Sequence, residues 1–215
     1  MEKSFNLIIN GVGGQGILLL SNIIGNACAS IEKRIITQEL HGLAQRSGPV
    51  ITHIRIGEEV YSPRVPIGAA DVILSTEAIE SLRNIELLKP KTPHGESKGT
   101  VILNSRIVPP PISTLEMIKD KEKKYIKLDE IISYLKEWTE NIIIVNALEL
   151  ALEAGAAITE NIVILGALTA LSRFPLDKEL IEQSLIKTVP QKAIEVNKKA
   201  FKLGFDFVRK SNKGI

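Results

Sequence analysis

Cysteine is almost absent from this chain of 215 residues, since Cys28 is the only one. A single thiol excludes an internal disulfide, and iron–sulfur clusters or structural zinc sites ordinarily need about four ligands in which thiolates are prominent. We therefore expect this chain to hold no cluster of its own. Cys28 lies between two alanines in a helical pattern, which favours a buried packing residue over a nucleophile.

Aromatic residues and excess charge are also scarce. Aromatics make up 4% of the sequence, and the formal net charge is only +2, from 27 Lys+Arg against 25 Asp+Glu. Nucleic-acid-binding proteins usually carry a basic excess or aromatic platforms on which bases stack. The composition therefore argues against a nucleic-acid partner.

Long hydrophobic runs are missing as well. The two longest apolar stretches, 17–24 and 162–171, are interrupted by polar residues or glycine. Both are shorter than the roughly 20 residues that a membrane span needs. The first residues lead into a strand-like segment, without the apolar core of a signal peptide. Together with the single cysteine, this pattern predicts a cytoplasmic protein with no membrane segment.

Short apolar strands alternate with helical segments through the first half of the chain. The predicted strands are Phe5–Asn10, Arg34–Thr37, Pro49–Ile56, Ala70–Ser75 and Gly99–Asn104. This alternation predicts an α/β fold with a Rossmann-like, mostly parallel sheet and helices on both faces. A helical pattern then runs to the carboxyl terminus. We interpret residues 1–215 as one domain, with an α/β core over about 1–146 and a helical C-terminal part over about 147–210.

The segment Gly11–Gly16, GVGGQG, satisfies the G-x-G-x-x-G pattern between a predicted strand and a predicted helix. Glycines there permit a sharp turn and let a ligand approach the backbone, and free N–H groups at a helix start attract a phosphate or carboxylate. The predicted cofactor-binding residues of this loop are Gly11, Gly13, Gly14, Gln15 and Gly16. The alternative is a tight turn that only packs the helix against the sheet.

A polar segment, Thr37–Gly48, follows the second predicted strand and has the composition of a contact-making loop. Glu39 lies near the position of the acid that holds the ribose in nicotinamide-binding Rossmann domains, and we predict Glu39 and Gln45 as cofactor-binding residues. Arg46 can hold a carboxylate or phosphate bidentately, and His41 can exchange a proton near neutral pH, so these two are the catalytic candidates. The alternatives are an exposed ion pair for Arg46 and a hydrogen-bonded loop histidine for His41.

The predicted helix Asn161–Ala170 is apolar nearly all round, which places it inside the structure or under a partner. We expect a broad apolar face of the chain to be covered by another subunit. The candidates are this helix and the strand face that carries His53 and Arg55. On that basis the isolated chain is expected to form a homodimer or to aggregate.

Several segments along the chain resemble one enzyme family. They are GVGGQG at 11–16, ELHGLAQRSG at 39–48 with Val50 and Arg55, Ser62-Pro63, Ala70-Asp71, Glu77 with Leu82-Arg83, the helix at 161–168, and Pro190-Gln-Lys with Asn197. They are similar to the beta subunits of indolepyruvate:ferredoxin oxidoreductases. These correspond to the gamma subunit or domain of the wider 2-oxoacid:ferredoxin oxidoreductase family. Val12 favours the indolepyruvate branch, because an arginine commonly replaces it elsewhere in the family.

The resemblance implies a larger alpha subunit that carries thiamine diphosphate and iron–sulfur clusters. That subunit decarboxylates an aryl 2-oxoacid and passes electrons to ferredoxin, while coenzyme A takes up the acyl group to give an aryl-acetyl-CoA. The present chain then shapes the site and binds or orients part of a cofactor or substrate.

Three other functions stay open at this point. One is the gamma-type subunit of another 2-oxoacid:ferredoxin oxidoreductase. A second is a stand-alone NAD-binding Rossmann oxidoreductase that uses the same glycine loop. A third, weaker alternative is a ubiquitin-activating-like adenylation domain, which also has a G-x-G-G-x-G loop, but the usual zinc cysteines and catalytic cysteine are missing.

Overall fold

The computed structural model describes residues 4–42, 48–109, 113–114, 118–120 and 124–211. Within these ranges a single sheet is built from short strands rich in isoleucine, valine and leucine, as is usual where both faces of a sheet are covered. The strands are β1 (Phe5–Val12), β2 (Ile35–His41), β3 (Pro49–Ile56), β4 (Val72–Ser75), β5 (Thr100–Asn104) and β6 (Ile142–Val145).

Helices follow most of the strands and fill the carboxyl-terminal part of the described chain. They are α1 (Ile17–Ser30), α2 (Ala78–Arg83), α3 (Leu128–Trp138), α4 (Ala147–Ala154), α5 (Glu160–Thr169), α6 (Lys178–Thr188) and α7 (Ile194–Ser211). Short 3-10 helices lie at Ile85–Leu87, Ala157–Thr159 and Gln191–Ala193. Several helices begin at a residue whose side chain caps the first turn; the Asp177 carboxylate, for example, accepts a hydrogen bond from the Leu180 N–H at 2.8 Å.

The strand order is β2-β3-β1-β4-β5-β6, with β1, β4, β5 and β6 parallel to one another. The predicted α/β fold is confirmed, with one difference: β3 runs antiparallel between β1 and β2. The reason is the short connection from His41 to Pro49. Parallel neighbours need a crossover of about a dozen residues or more, so a connection of this length joins antiparallel strands.

Each face of the sheet is covered by its own set of helices, because successive strand side chains point to opposite faces. Leu7 and Ile9 of β1 belong to a large apolar cluster with α1, α4, α5, α6 and α7. Ile8, between them, belongs to a second cluster with residues of α2 and α3. The large cluster contains residues from both halves of the chain, so the C-terminal helices share one hydrophobic core with the sheet.

Helix α5 is enclosed by its own chain. Every residue from Asn161 to Thr169 is buried, and α7 crosses it so closely that a Cβ atom on Gly166 or Gly204 would overlap with the facing helix backbone. The expectation that another subunit covers this helix is therefore wrong. A helix that is apolar on all sides can also lie in the core of its own chain. Here α7 and the sheet enclose α5 in this way.

The strand face that carries His53 and Arg55 is also covered from within. His53 is buried, and its Nδ1 accepts a hydrogen bond from the Val65 N–H at 3.1 Å. The Arg55 guanidinium donates to the Asn6 side chain at 2.9 Å and to the Ser62 carbonyl at 3.0 Å. The segment after β3 folds back over this face, so the face is covered by the chain itself and not by another subunit.

The carboxyl-terminal helix α7 has 18 residues and one buried stripe. The stripe consists of Asn197, Ala200, Phe201, Gly204 and Val208. Its spacing of three, four and seven residues is that of an amphipathic helix packed on a core. None of the helices within the described ranges is long and apolar enough to cross a bilayer.

Candidate functional site

The glycine loop joins β1 to α1 and is held together by the side chain of Gln15. Its Oε1 accepts hydrogen bonds from the Val12 N–H at 3.0 Å and from the Thr76 hydroxyl at 2.6 Å. The Gly13 N–H donates to the Gly48 carbonyl at 2.8 Å. The loop is thereby tied to the ends of β4 and of the β2–β3 connection.

Two of the loop glycines are needed for different reasons. A Cβ on Gly16 would overlap with the Asn161 side chain, and the residue has a φ of 74°, in the left-handed region. Gly14 also has a positive φ, 98°, but no atom lies within 4 Å of where its Cβ would be. Packing and conformation therefore both require glycine at position 16, whereas at position 14 only the positive φ favours glycine and the backbone faces open space.

That open space is a cavity of about 500 Å³ at the carboxyl ends of the parallel strands. It lies where open α/β sheets bind ligands, and its volume falls in the usual range for small-molecule sites. The glycine loop and the start of α1 form one wall, and α5, the 3-10 helix at Gln191–Ala193 and α7 form the other. The lining residues include Gly14, Gln15, Gly16, Thr76, Asn104, Arg106, Glu160, Asn161, Val196 and Asn197.

An ion pair closes one side of the cavity. Arg106 donates to the Glu160 carboxylate at 2.6 Å, and the Asn104 amide donates to the other oxygen of Glu160 at 3.0 Å. Asn104 also reaches the Thr76 carbonyl at 3.3 Å. The ends of β4 and β5 and the first residue of α5 therefore form one hydrogen-bonded edge.

A buried carboxyl group fixes the segment that carries Arg106. Glu77 is 0% exposed; it caps α2 through the Glu80 N–H at 3.1 Å and accepts from the Val108 N–H at 3.0 Å. The Ala78 N–H donates to the Arg106 carbonyl at 3.1 Å. Burial raises the pKa of Glu77, and the backbone hydrogen bonds only partly oppose this effect.

Replacement of Glu77 by glutamine is expected to change how stability depends on pH. The pKa of the Glu77 carboxyl group is raised in the folded chain. The folded chain therefore binds the carboxyl proton more tightly than the unfolded chain, in which a glutamate has a pKa of about 4.3. The wild-type free energy of unfolding therefore falls as pH rises from the unfolded to the folded pKa and then levels off. Glu77→Gln lacks this contribution, so its stability relative to wild type should rise with pH over that window.

Urea unfolding of both proteins between pH 4 and pH 8 measures this effect, with the exposed Glu86→Gln as the matched control. A constant difference in the free energy of unfolding between wild type and Glu77→Gln across this range would show that burial does not raise the pKa of Glu77.

Replacement of Gln15 by methionine is expected to destabilise the chain by about 1–3 kcal/mol. The thioether is close to the glutamine side chain in size but leaves the Val12 N–H without its side-chain acceptor, and the Thr76 hydroxyl keeps only the Asn10 carbonyl, at 3.2 Å. Thermal or urea unfolding measures the loss. Gln183→Met, at an exposed position of α6, is the control and should change stability by less than about 0.5 kcal/mol. An equal effect of both substitutions would contradict the bracing role of Gln15.

The structure places Glu39 and His41 on strand β2, which continues beyond the predicted end at Thr37. They pair with Thr52 and Val50 of β3. His41 is exposed, with its Nδ1 3.3 Å from the Gly42 carbonyl oxygen. Glu39 is half-buried, and burial raises its pKa while His41 partly opposes the shift.

These two residues are at the same sheet edge as the glycine loop but do not line the cavity. Since β3 separates β2 from β1, Glu39 lies two strand spacings, about 10 Å, from the strand that carries the loop. Gln45 and Arg46 lie outside the described residues. The hydrogen bond from the Gly13 N–H to the Gly48 carbonyl joins the glycine loop to the end of the segment Thr37–Gly48.

Other cavity residues were assigned no role from the sequence. Thr76 and Asn104 directly follow or end strands β4 and β5, and the rule that ligands bind at the carboxyl ends of strands could have found them. Asn161, on the apolar helix α5, and Asn197, in the buried stripe of the amphipathic helix α7, are both more than nine-tenths buried. A polar residue in an apolar stripe was the available signal, but nothing in the sequence indicates that the two helices converge.

The residues described here do not fit an iron–sulfur cluster. Cys28 is 0% exposed inside α1, and burial raises the pKa of its thiol to about 11, so the thiolate that a cluster needs is disfavoured. Within the described ranges no group of three or more His, Cys, Asp or Glu residues is arranged to hold a metal ion.

A glycine loop at the carboxyl ends of the strands of a mixed α/β sheet, beside a cavity of small-molecule size, is typical of the ligand-binding class of α/β domains. The model of one family, described as pyruvate ferredoxin/flavodoxin oxidoreductase, matches residues 6–207. The chain belongs to this oxidoreductase family, and within it to the group of the indolepyruvate oxidoreductase subunit IorB. The resemblance inferred from the sequence is thereby confirmed.

The similarity extends along almost the whole chain. The indolepyruvate oxidoreductase subunit IorB of Pyrococcus horikoshii is 40% identical over 203 residues, which cover 94% of this chain and 95% of that protein. The keto/oxoacid ferredoxin oxidoreductase gamma subunit of Geobacter sulfurreducens has the same fold, with a TM-score of 0.67 at 22% identity, over 96% of this chain and 99% of that one.

A third similar structure is the 2-oxoglutarate:ferredoxin oxidoreductase of Magnetococcus marinus, solved with 2-oxoglutarate, coenzyme A and succinyl-CoA bound. The TM-score is 0.70 at 18% identity. The match covers 98% of this chain but 32% of that one, so there the fold is one part of a longer polypeptide.

Proposed function

We propose that this chain is the beta-type subunit of an indolepyruvate:ferredoxin oxidoreductase. A larger alpha subunit carries thiamine diphosphate and iron–sulfur clusters, and the complex converts aryl 2-oxoacids to aryl-acetyl-CoA while it reduces ferredoxin. The observation that carries this proposal is the identity of 40% over almost the full length of a subunit named for indolepyruvate. Val12 in the glycine loop supports the same branch of the family.

The cofactors belong to the partner in this proposal. Thiamine diphosphate supplies the carbanion chemistry when bound, and the clusters carry the electrons. The single buried cysteine of this chain is consistent with that division, because it cannot provide a set of thiolate ligands. The work of this chain is then to bind, orient and enclose part of a substrate.

The glycine loop is the proposed contact for an anionic group of the 2-oxoacid or of coenzyme A. Gly11, Gly13, Gly14, Gln15 and Gly16 are the residues proposed for this contact. Gly14 supports it most directly, because its backbone faces open space at the start of α1. Helix starts present N–H groups with partial positive charge, which favour carboxylates and phosphates.

The second predicted segment keeps a proposed role at the same edge of the sheet. Glu39 and Gln45 are proposed as further contacts, and His41 and Arg46 as the groups that take part in the chemistry. Arg46 suits a carboxylate or phosphate, and exposed His41 can exchange protons with a bound partner or substrate. The location of Glu39 and His41 on β2, two strands from the glycine loop, is consistent with a site that the partner subunit completes.

The stand-alone NAD-binding alternative is less well supported. In a dinucleotide-binding Rossmann domain the ribose-binding acid ends the strand next to β1. Here antiparallel β3 occupies that position, so Glu39 is too far from the glycine loop to hold the ribose of a dinucleotide bound there.

Cytoplasmic location, the absence of a nucleic-acid partner and a homodimer of the isolated chain stay predictions of the sequence.

Co-purification tests this assignment. When the tagged chain is purified from its native host, a larger, brown, iron-containing protein should co-purify with it. The chain purified alone should be colourless and free of stoichiometric iron. Iron analysis and NADH titration of the isolated chain complete the experiment. Stoichiometric iron in the isolated chain, or tight NADH binding by it, would overturn the proposal.

A further inference from the structure

Strand β2 lies at one edge of the sheet, where only β3 pairs with it. Edge strands are usually protected from pairing with another chain by lysine, proline, a bulge or a covering element. The sequence of β2, IITQELH, contains no lysine or proline, its register with β3 has no bulge, and Leu40 is 43% exposed. Among the described residues, β2 has backbone hydrogen bonds to β3 and to no other element. The outer edge of β2 is therefore open to a further strand.

The register shows which backbone groups of β2 point to this outer edge. One residue before β2 begins, the Arg34 carbonyl accepts a hydrogen bond from the Gly57 N–H at 3.1 Å, which continues the register of β2 with β3. Hydrogen-bonded and non-hydrogen-bonded pairs alternate along an antiparallel ladder. Ile36, Gln38 and Leu40 therefore bond to β3. The N–H and C=O groups of the alternate residues point outward, and these residues are Ile35, Thr37, Glu39 and His41.

The side chains of β2 are complementary to a second copy of the same strand. In an antiparallel pair centred on Gln38, the outward backbone groups of one copy meet those of the other, and the two Gln38 amides can each donate and accept a hydrogen bond. Thr37 then lies opposite Glu39 of the second copy, a hydroxyl donor beside a carboxylate acceptor. Ile36 lies opposite Leu40 as an apolar pair, and no like charges are directly opposed.

We infer that two copies of this chain pair antiparallel through the outer edges of β2, about a two-fold axis that passes between the Gln38 residues perpendicular to the sheet. The two sheets then form one continuous sheet. The homodimer expected from the sequence would thus use an interface other than α5 or the His53 face, which the chain itself covers. This interface does not depend on the proposed function, and the cavity beside the glycine loop, which no β2 residue lines, stays accessible.

Opposite charges at position 37 test this pairing in sedimentation experiments on the full chain. Thr37 is exposed, and in the dimer it lies opposite Glu39 of the second copy, so a glutamate there is repelled and a lysine is attracted. Wild type should be dimeric at about 100 μM. Thr37→Glu should raise the dimer dissociation constant at least about tenfold, because the repulsion occurs twice in each dimer, and Thr37→Lys should lower it.

The same two charges at Ser133 are the matched control. Ser133 is exposed on α3, the helix that leads to β6 at the opposite edge of the sheet, so Ser133→Glu and Ser133→Lys should leave the dissociation constant unchanged. Urea unfolding of each variant shows whether the monomer remains folded. A rise or a fall in the dissociation constant shared by Thr37→Glu and Thr37→Lys overturns the inference, since only the sign of the charge distinguishes the two.

Amide hydrogen exchange of the wild-type chain locates the contact without any variant. As the concentration is raised through the dissociation constant, protection should increase at the outward amides of Thr37, Glu39 and His41 and stay constant at Gln38 and Leu40, which already bond to β3. A chain that stays monomeric at about 100 μM overturns the inference. Protection of the outward amides only in the presence of a different subunit also overturns it, because an extended segment of that subunit then covers the edge.

Discussion

Replacement of Gly14 by valine is expected to lower the aryl 2-oxoacid-dependent activity of the assembled complex by about 100-fold. Gly14 faces the cavity with a φ of 98° and nothing within 4 Å of its Cβ position, so the branched side chain would project into the space proposed for the ligand anion. Displacement of a bound substrate by about 1 Å is enough for a rate loss of this size. The chain itself should lose only about 1–2 kcal/mol, the cost of a side chain at positive φ.

Gly95→Val is the matched control for this experiment. Gly95 also has a positive φ, 86°, with open space around it, but it lies in the turn that begins at Thr92, outside the cavity lining. It should show the same loss of stability with full activity. Equal activities of the two variants, measured as indolepyruvate-dependent viologen reduction, would mean that Gly14 only shapes a turn.

Replacement of Gly204 by alanine should destabilise the chain by about 3 kcal/mol or more. Gly204 of α7 lies against the backbone of Val163 in α5, and a Cβ there would overlap with the Val163 carbonyl. Backbone cannot rotate away as a flexible side chain can, so the two helices would have to separate within a close-packed core. The shift in the urea unfolding midpoint measures the loss.

Gly25→Ala is the control for helix propensity alone. Gly25 lies within α1, and no atom is within 4 Å of its Cβ position. Alanine is favoured over glycine inside helices, so this substitution should stabilise the chain by about 0.5–1 kcal/mol. Stabilisation by Gly204→Ala as well would contradict the close contact between α5 and α7.

The class of the fold and the position of the glycine loop were predictable from local patterns. The alternation of apolar strands with helices is a short-range signal, and GVGGQG at a strand end is another. The antiparallel direction of β3 was harder to predict. The polar residues after Thr37 give no sign that β2 continues through Glu39 to His41. Only then is the connection to Pro49 short enough to impose an antiparallel neighbour.

The cavity could be predicted only in part. One wall belongs to the glycine loop, but the other comes from residues about 145 to 185 positions later in the sequence, such as Asn161 and Asn197. Their approach depends on the close crossing of α5 and α7, a long-range packing result without a local sequence signal. The apolar character of α5 was therefore visible from the sequence, whereas the element that covers it was not.

The central proposal is that this chain works only as one subunit of a thiamine-dependent, ferredoxin-reducing enzyme. The most direct measurement is ferredoxin reduction with indolepyruvate and coenzyme A, by the purified chain, by its larger cluster-bearing partner, and by the two mixed. We expect little or no reduction by either protein alone and full activity on mixing at equal molar amounts. Full activity of the partner without this chain, or NADH-linked turnover by this chain alone, would contradict the account.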